Sequence, residues 1–316
     1  MAGMSGAVVG LPAAAQSAMP EVGFLHPGSS AAGTLRLAAV NEGLRSRGFV
    51  EGKNVSVLSR FADFDPGKVE AFAAELVERK VSVLMAVGPQ AVFAVRKLTN
   101  TIPIVAQDLE SDPVKSGLVE RLSHPGGNVT GMFFDFPDFS TKWLELLGEV
   151  LPGLAKIGLL WDPRTGTVQL EAVTAAARDR KLTLETLKVS SPTEMDAAFQ
   201  AAVDAKAQAV LALSSPIFGT IPKQVADAAL SHRMPTITLF PEYAEAGGLM
   251  AYGTSLPDLF RQVGEMAGKV LAGTKPADLP VERPSRFELV VNLKTAAALG
   301  ITVPQVVQLR ADRLIE

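Results

Sequence analysis

Apolar residues in this chain fall into short unbroken blocks separated by stretches of helical periodicity, and two long segments say nearly the same thing. Residues 81–112 (VSVLMAVGPQAVFAVRKLTNTIPIVAQDLESD) and residues 207–243 (AQAVLALSSPIFGTIPKQVADAALSHRMPTITLFPEY) share one order of elements. Each reads as a buried strand, a Gly/Pro/Ser loop, an amphipathic helix, a strand opened by Pro, and a polar or aromatic loop. This is a repeated βαβ unit. Blocks of Val, Ile and Leu without alternation suit strands covered on both faces. Ligands of such parallel sheets collect outside the carboxyl ends of the strands. Two units therefore predict two lobes whose loop rims face a shared cleft.

The rest of the pattern extends both units. A strand over 22–25 ends in His26-Pro27-Gly28-Ser29-Ser30, and a helix over 34–47 places Leu35, Leu37, Ala38 and Leu44 on one face before Gly48. Strands follow at 54–60, 81–87, 102–106 and 129–134, with helices at 66–79 and 89–98. The loop 135–139 opens the second lobe, with Ser140 capping a helix over 141–150. Strands at 156–161, 182–189, 210–213 and 236–239 alternate with helices at 168–180 and 193–205, and the rim loop 162–167 follows the first of them. Residues 246–253 suggest a return crossing, 256–271 a helix, and 287–292 a last strand before a terminal helix. The predicted class is α/β, two doubly wound parallel-sheet lobes with a hinge and an interlobe ligand cleft. The lobes are expected at 21–131 plus 252–286 and at 132–251 plus 287–316.

Length and composition agree with two domains: 316 residues at 47% hydrophobic content exceed the roughly 150 residues usual for one. Charge is balanced, 30 basic against 33 acidic residues for a net −3, and no basic stripe is present to neutralise phosphates, which disfavours nucleic acid as a partner. No cysteine occurs, which excludes disulfides, thiolate metal sites and a Cys nucleophile. The run GAVVGLPAAA at 6–15 is short, apolar and rich in small residues, and Ala13-Ala14-Ala15 fits a signal-peptidase site. It reads as the tail of a secretion signal whose basic n-region is missing, or as a plain N-terminal extension. It is too short to span a bilayer, which needs about 20 apolar residues.

Several ordered segments then carry a resemblance. GFLHPGSS, GFVEGKNV, TIPIVAQDLESDPVKSGLVERLSHPGGNVTG, KWLELLGEVLPGLAKIGLLWDP, the long segment from EAGGLMAYGTSLPDLFRQVGEM to NLKTAAALGI, and the closing Arg-Ala-Asp span nearly the whole chain after residue 20. Together they resemble the ABC-transporter substrate-binding family that includes the tryptophan-binding, TrpX-type proteins. The resemblance implies the type I periplasmic binding fold, no enzymatic activity and no cofactor. It also implies export to the periplasm, a small-molecule solute as ligand, an ABC permease in the membrane as partner, and a monomer. One departure stands out: where a short valine- or glycine-rich loop often follows TIPIV, this chain has Gln107-Asp108-Leu109-Glu110-Ser111-Asp112.

Candidate ligand-binding residues lie at the rims. The turn at His26, Gly28, Ser29 and Ser30 feeds a helix N-terminus, where free N–H groups and the macrodipole favour a carboxylate; the competing reading is that Ser29 or Ser30 only caps the helix. Gly88, Pro89 and Gln90 hold the matching loop of the first repeat, and Ser214 and Ser215 that of the second. An ammonium would need Asp108, Glu110, Asp135 or Asp162, although Asp at a strand end also caps turns. Arg164 could hold a carboxylate instead. Phe136, Trp161, Phe240, Tyr243 and Tyr252 offer flat apolar area at rim or hinge, Trp161 and Tyr243 as a wall against the ligand. Trp143, with Leu146, Leu147 and Val150, forms a helical stripe that belongs in the core. No G-x-S-x-G, H-E-x-x-H, P-loop or G-x-G-x-x-G occurs, and His26, His124 and His232 lack metal spacing. The resemblance implies a solute receptor of an ABC importer, and the rim residues favour an amino acid or an aromatic or branched carboxylate as its solute. The alternative is the sensing core of a regulator or signalling receptor.

Overall fold

The computed structural model describes residues 19–134 and 136–316. Five parallel strands form the first sheet: β1 (Glu21–His26), β2 (Ser56–Phe61), β3 (Val83–Val87), β4 (Ile104–Asp108) and β5 (Val129–Phe133), in the order β2-β1-β3-β4-β5. Seven strands form the second: β6 (Lys156–Trp161), β7 (Thr183–Lys188), β8 (Ala209–Ala212), β9 (Thr236–Thr238), β10 (Met250–Gly253), β11 (Glu288–Asn292) and β12 (Arg313–Ile315), in the order β12-β11-β10-β9-β8-β6-β7. All pairs are parallel except β10 with β11. The inner strands β3 and β4 and the edge strand β5 are buried at every position, as apolar blocks require when both faces are covered.

Helices α1 (Ser30–Ser46), α2 (Pro66–Glu78) and α3 (Gly88–Leu98) connect the first sheet. The second carries α4 (Phe136–Val150), α5 (Val168–Asp179), α6 (Met195–Asp204), α7 (Pro216–Thr220), α8 (Pro222–Ser231), α9 (Pro241–Glu245), α11 (Leu293–Leu299) and α12 (Gln305–Arg310). The exception is α10 (Leu256–Leu271), which leaves β10 of the second sheet yet packs on α1 and on β3, β4 and β5 of the first. The chain thus passes between the sheets three times: from β5 to α4, from β10 to α10, and along 272–287 into β11. On the last passage Phe133 donates its N–H to the Glu282 carbonyl at 3.0 Å and Glu282 its own to Gly131 at 2.9 Å. Local chemistry sets the helix ends. Asp65 accepts from Gly67 N at 2.8 Å to start α2 ahead of Pro66, and Asn292 caps α11, which Gly300 ends at φ 73°.

Two glycines decide how α1 faces its neighbour. A Cβ on Gly264 would lie 2.1 Å from the Val40 carbonyl oxygen, and one on Gly43 2.0 Å from that of Arg261, so α1 and α10 meet backbone to backbone. The face that packs is therefore the one bearing Gly33, Arg36, Ala39, Val40, Gly43 and Leu44. The expected face of Leu35, Leu37, Ala38 and Leu44 is corrected: Leu35 is 77% exposed, Ala38 is exposed, and Arg36 takes the buried stripe. Small residues, rather than large apolar ones, set the rotation.

Other differences are local. Residues 136–139 are the first turn of α4 and not a loop, and Ser140 lies buried inside the helix instead of capping it. Residues 250–253 are strand β10, so the return crossing comes after them. The expected lobe boundaries at 131/132 and 251/252 fall within β5 and β10. Trp143 is fully buried as expected, its Nε1 donating to the Tyr252 carbonyl at 2.8 Å. The signal-like run at 6–15 lies outside the described residues. No helix among the described residues is long and apolar enough to cross a membrane.

Gly264→Val should lower unfolding free energy by about 2 to 3 kcal/mol by forcing α1 from α10. Gly148→Ala, at an exposed helical position with open space around it, should raise stability by about 0.5 to 1 kcal/mol. Denaturant unfolding of the two variants checks both signs. Equal, small effects would contradict the close-contact account.

Candidate functional site, a charged cleft between the sheets

The carboxyl ends of β1, β3 and β4 face those of β6, β8 and β9, and the short helix α7 fills much of the space between. Its Pro216 sits against Gly88, where a Cβ would lie 2.5 Å from the proline Cγ and where φ is +72°. Only a residue without a side chain permits that approach. Several hydrogen bonds join the two sides. Ser214 Oγ donates to Glu110 Oε1 at 2.6 Å. Arg36 donates from Nη2 to the Gly219 carbonyl at 2.6 Å and from Nη1 to Thr220 Oγ1 at 3.2 Å. Arg164 Nη1 reaches the Phe64 carbonyl at 3.4 Å. They enclose a cavity of about 10 Å³ against Arg36, Gln107, Glu110, Phe240, Leu256 and Phe260, room for about one water molecule. A neighbouring cavity of about 210 Å³ shares Arg36, Gly219 and Leu256 with it and adds Leu35, Pro222 and Glu242.

Buried charge dominates this region. Arg36 is only 7% exposed and its guanidinium carbon lies 5.5 Å from the Phe260 ring centroid, a cation–π contact. Burial lowers its pKa to about 10, opposed by the carboxylates of Glu242 and Glu110, so it stays a cation at neutral pH. His26 is buried with an N–H group beside each ring nitrogen, Gly28 N 2.9 Å from Nδ1 and Arg36 Nη1 beside Nε2, and a neutral imidazole accepts from only one of them. Burial, then the Arg36 charge, holds its pKa well below the usual imidazole value, so it is neutral.

The acids behave in the opposite sense. Burial, and next the Asp108 charge, pushes the Glu110 carboxyl up to about 8. Burial raises Asp108 to about 6 against the hydrogen bonds it accepts. Glu242 is raised by burial too. Each of the three has one oxygen engaged, Asp108 Oδ1 by the N–H groups of Glu110 and Ser111, Glu110 Oε1 by Ser214, Glu242 Oε1 by Leu256 N. The other oxygens, Asp108 Oδ2, Glu110 Oε2 and Glu242 Oε2, are buried without a hydrogen-bond partner, a costly state that marks functional positions.

The structure sorts the expected residues into three groups. Glu110 and Phe240 line the central cavity, with Ser215 beside them; Ser214 bridges to Glu110, and Asp108 lies next to it. Gly88, Pro89 and Gln90 open α3, and Pro89, Gln90 and Asp162 border a smaller gap with Pro27 and Phe64. Asp162 is fixed within its own lobe by Arg164, with Nε to Oδ1 at 2.9 Å, and by Ser215 Oγ at 2.9 Å, so Arg164 serves as its ion-pair partner. Ser29 and Ser30 begin α1 outside the central cavity lining, and Ser29 makes no side-chain capping bond.

The aromatic wall expected from Trp161 and Tyr243 lies elsewhere. Trp161 folds onto its own loop, Nε1 donating to the Gly166 carbonyl at 2.9 Å. Tyr243 is packed in the core of the second sheet, its ring where a Gly248 side chain would be. Tyr252 packs with Phe139 at the crossing, ring centroids 5.7 Å apart. Phe240, Leu256 and Phe260 form the apolar wall instead. Asp135 lies outside the described residues, and Phe136 begins α4. Arg36 and Glu242 were missed. The available signal for Arg36 was its place three residues before Ala39 and seven before Gly43, on the small-residue stripe; Glu242 follows Pro241 at a strand end.

Glu110 binds a proton more tightly when folded, so its contribution to stability is present below the ordinary carboxylate value and lost as pH rises through about 8. Neutral buried His26 acts oppositely, losing stability as pH falls below about 6.5. Between about pH 6.5 and about pH 8 the Glu110 effect, in the field of Asp108, Asp162, Arg36 and Glu242, should dominate. The melting temperature of unliganded protein should fall across that window, and the fall should flatten in Glu110→Gln. Parallel pH profiles for the two proteins would contradict the assignment.

Known proteins share this architecture. Residues 26–315 match the family described as ABC transporter substrate binding protein. A tyrosine-binding protein of Clostridioides difficile is 26% identical over 260 residues, 82% of this chain and 74% of that protein. The crystal structure of an ABC domain in complex with L-Trp from Streptococcus pneumonia is 27% identical, covers 94% of this chain and 99% of its own, and superposes with a TM-score of 0.84. The ligand-free, open structure of a substrate-binding protein with adhesive properties from Clostridium difficile is 24% identical over the same shares, with a TM-score of 0.65. The chain has the type I periplasmic binding fold and belongs to the ABC transporter substrate-binding protein family, whose members bind solutes and are not enzymes.

Proposed function

We propose that this protein is the extracytoplasmic solute-binding component of an ABC importer, which takes an amino acid between its lobes and presents the closed form to a membrane permease. The observation that carries this reading is the cleft itself: buried, incompletely paired charges from one lobe meet backbone and hydroxyl groups of the other. Such contacts hold two lobes together only while both are dry, and they exchange for water when the lobes part. Each lobe is built on one sheet, with α10 added to the first, the three crossings act as hinge, and the protein works as an exported periplasmic monomer.

Opening separates Glu110 from Ser214, Arg36 from Gly219 and Thr220, and Pro216 from Gly88. A solute then enters, its ammonium against Glu110 and Asp108 and its apolar part against Phe240, Leu256 and Phe260. The rim groups Gly28, Ser29, Ser30, Pro89, Gln90 and Ser215 close around it. The L-Trp complex and the tyrosine-binding relative support an amino acid with an aromatic side chain. The greater likeness in shape to the L-Trp complex than to the ligand-free, open structure supports a closed arrangement of the lobes here.

Solution scattering on ligand-stripped protein tests closure. L-tryptophan or L-tyrosine should reduce the radius of gyration and raise the melting temperature, with about 2.7 kcal/mol of stabilisation at 100 times the dissociation constant. Superposable scattering curves with solute bound would contradict lobe closure, and no thermal shift with any amino acid would contradict the amino-acid reading.

A further inference from the structure

The cleft holds too many acceptors for the donors it has. Asp108, Glu110 and Glu242 each keep one oxygen buried without a partner. The fourth acid, Asp162, is matched by Arg164 and Ser215 and needs nothing more. Against these three carboxyls stands one guanidinium, Arg36, and both of its terminal nitrogens already donate to protein groups, Gly219 and Thr220 across the cleft. Arg36 is thus a strut between the lobes with Glu242 as its counter-charge. Glu110 also lies in the Arg36 field, but the Asp108–Glu110 pair has no hydrogen-bonded cation, only the proton that burial keeps on it.

We propose that the cleft selects its solute by a cationic amine, seated on the unpartnered oxygens of Glu110 and Asp108, and that a carboxylate on the solute is dispensable. This rests on the solute-binding reading above and narrows its chemistry. An ammonium brings three N–H donors and one positive charge, which matches two open oxygens and the pair's excess charge. An acid lacking the amine brings a further negative charge into a dry site against two buried carboxyls. Glu110 lines the central cavity, and Asp108, two residues before it, carries the second open oxygen. The bond that Glu110 accepts from Ser214 of the other lobe ties amine binding to closure: an amine that orders Glu110 also orders the group on which the second lobe docks. Specificity of this kind comes from leaving the wrong solute's partners unpaired.

Matched sets of probes test the claim on ligand-stripped, full-length protein by calorimetry and thermal shift. The first is L-tryptophan, tryptamine and indole-3-propionate; the second is L-tyrosine, tyramine and 3-(4-hydroxyphenyl)propionate; the third is L-leucine, isoamylamine and 4-methylpentanoate. In the set that fits the cavity, the amine should bind within about tenfold of the amino acid, and the deaminated acid should lose about 100-fold or more. Glu110→Gln should weaken amine and amino acid alike by at least about tenfold and leave the deaminated acid no weaker, so that the gap to the acid narrows. Amino acids that bind where no amine does would overturn the amine claim and leave the solute-binding reading standing. Binding by the deaminated acids alone would overturn the claim together with the amino-acid assignment. No binding by any member of the sets would overturn both.

Discussion

Desolvated charge at the junction of two lobes is the constraint on which this structure depends. A buried cation or carboxylate is tolerated only with partners close at hand, and here the partners come from opposite sides of a narrow cleft. Arg36 finds Gly219 and Thr220, Glu110 finds Ser214, and Arg164 reaches Phe64 while holding Asp162. In the proposed open form water would replace each partner, so the two forms would differ little in polar bonding and much in hydration. On the proposed reading, a bound solute shifts such a balance by supplying what closure alone leaves unmet, the partner for the free oxygens of the acid pair.

The apolar frame exists to place that charge. Gly43 and Gly264 bring α1 and α10 into backbone contact, which turns Arg36 inward and Leu35 out to solvent. The same helix α10 enters from the second sheet and packs on the first, so its N-terminal Leu256 and the Phe260 one turn on stand in the cleft wall. Hinge, wall and charge are thereby fixed by one helix pair. The short helix α7 supplies the opposing surface, and Gly88 is the position that lets Pro216 approach.

Much of this was legible in the chain. The repeated βαβ units, the continuous Val and Ile blocks of β3, β4 and β8, and the Pro-opened strands are local patterns, and they locate the rims correctly. Acid loops such as Gln107–Asp112 fall at strand ends for the same reason. What local pattern does not carry is rotation and distance. The orientation of α1 depends on a glycine more than two hundred residues away, so Arg36 could not be told from an exposed arginine. Aromatic rarity drew attention to Trp161 and Tyr243, yet Gly166 and the second-sheet core take them, while the plain residues Leu256 and Phe260 make the wall. Glu242 was hidden because its importance lies in an unpaired oxygen beside a residue from the other lobe.

The central claim is that the Glu110–Asp108 pair holds a proton when the cleft is empty and surrenders it to a solute's ammonium. Calorimetric titration of L-tryptophan near neutral pH, in buffers of different ionisation enthalpy, measures the protons exchanged directly. Raised carboxyl values in the empty site require net proton release on binding, a release that Glu110→Gln abolishes. Binding with no proton exchange, or with uptake, would contradict the account.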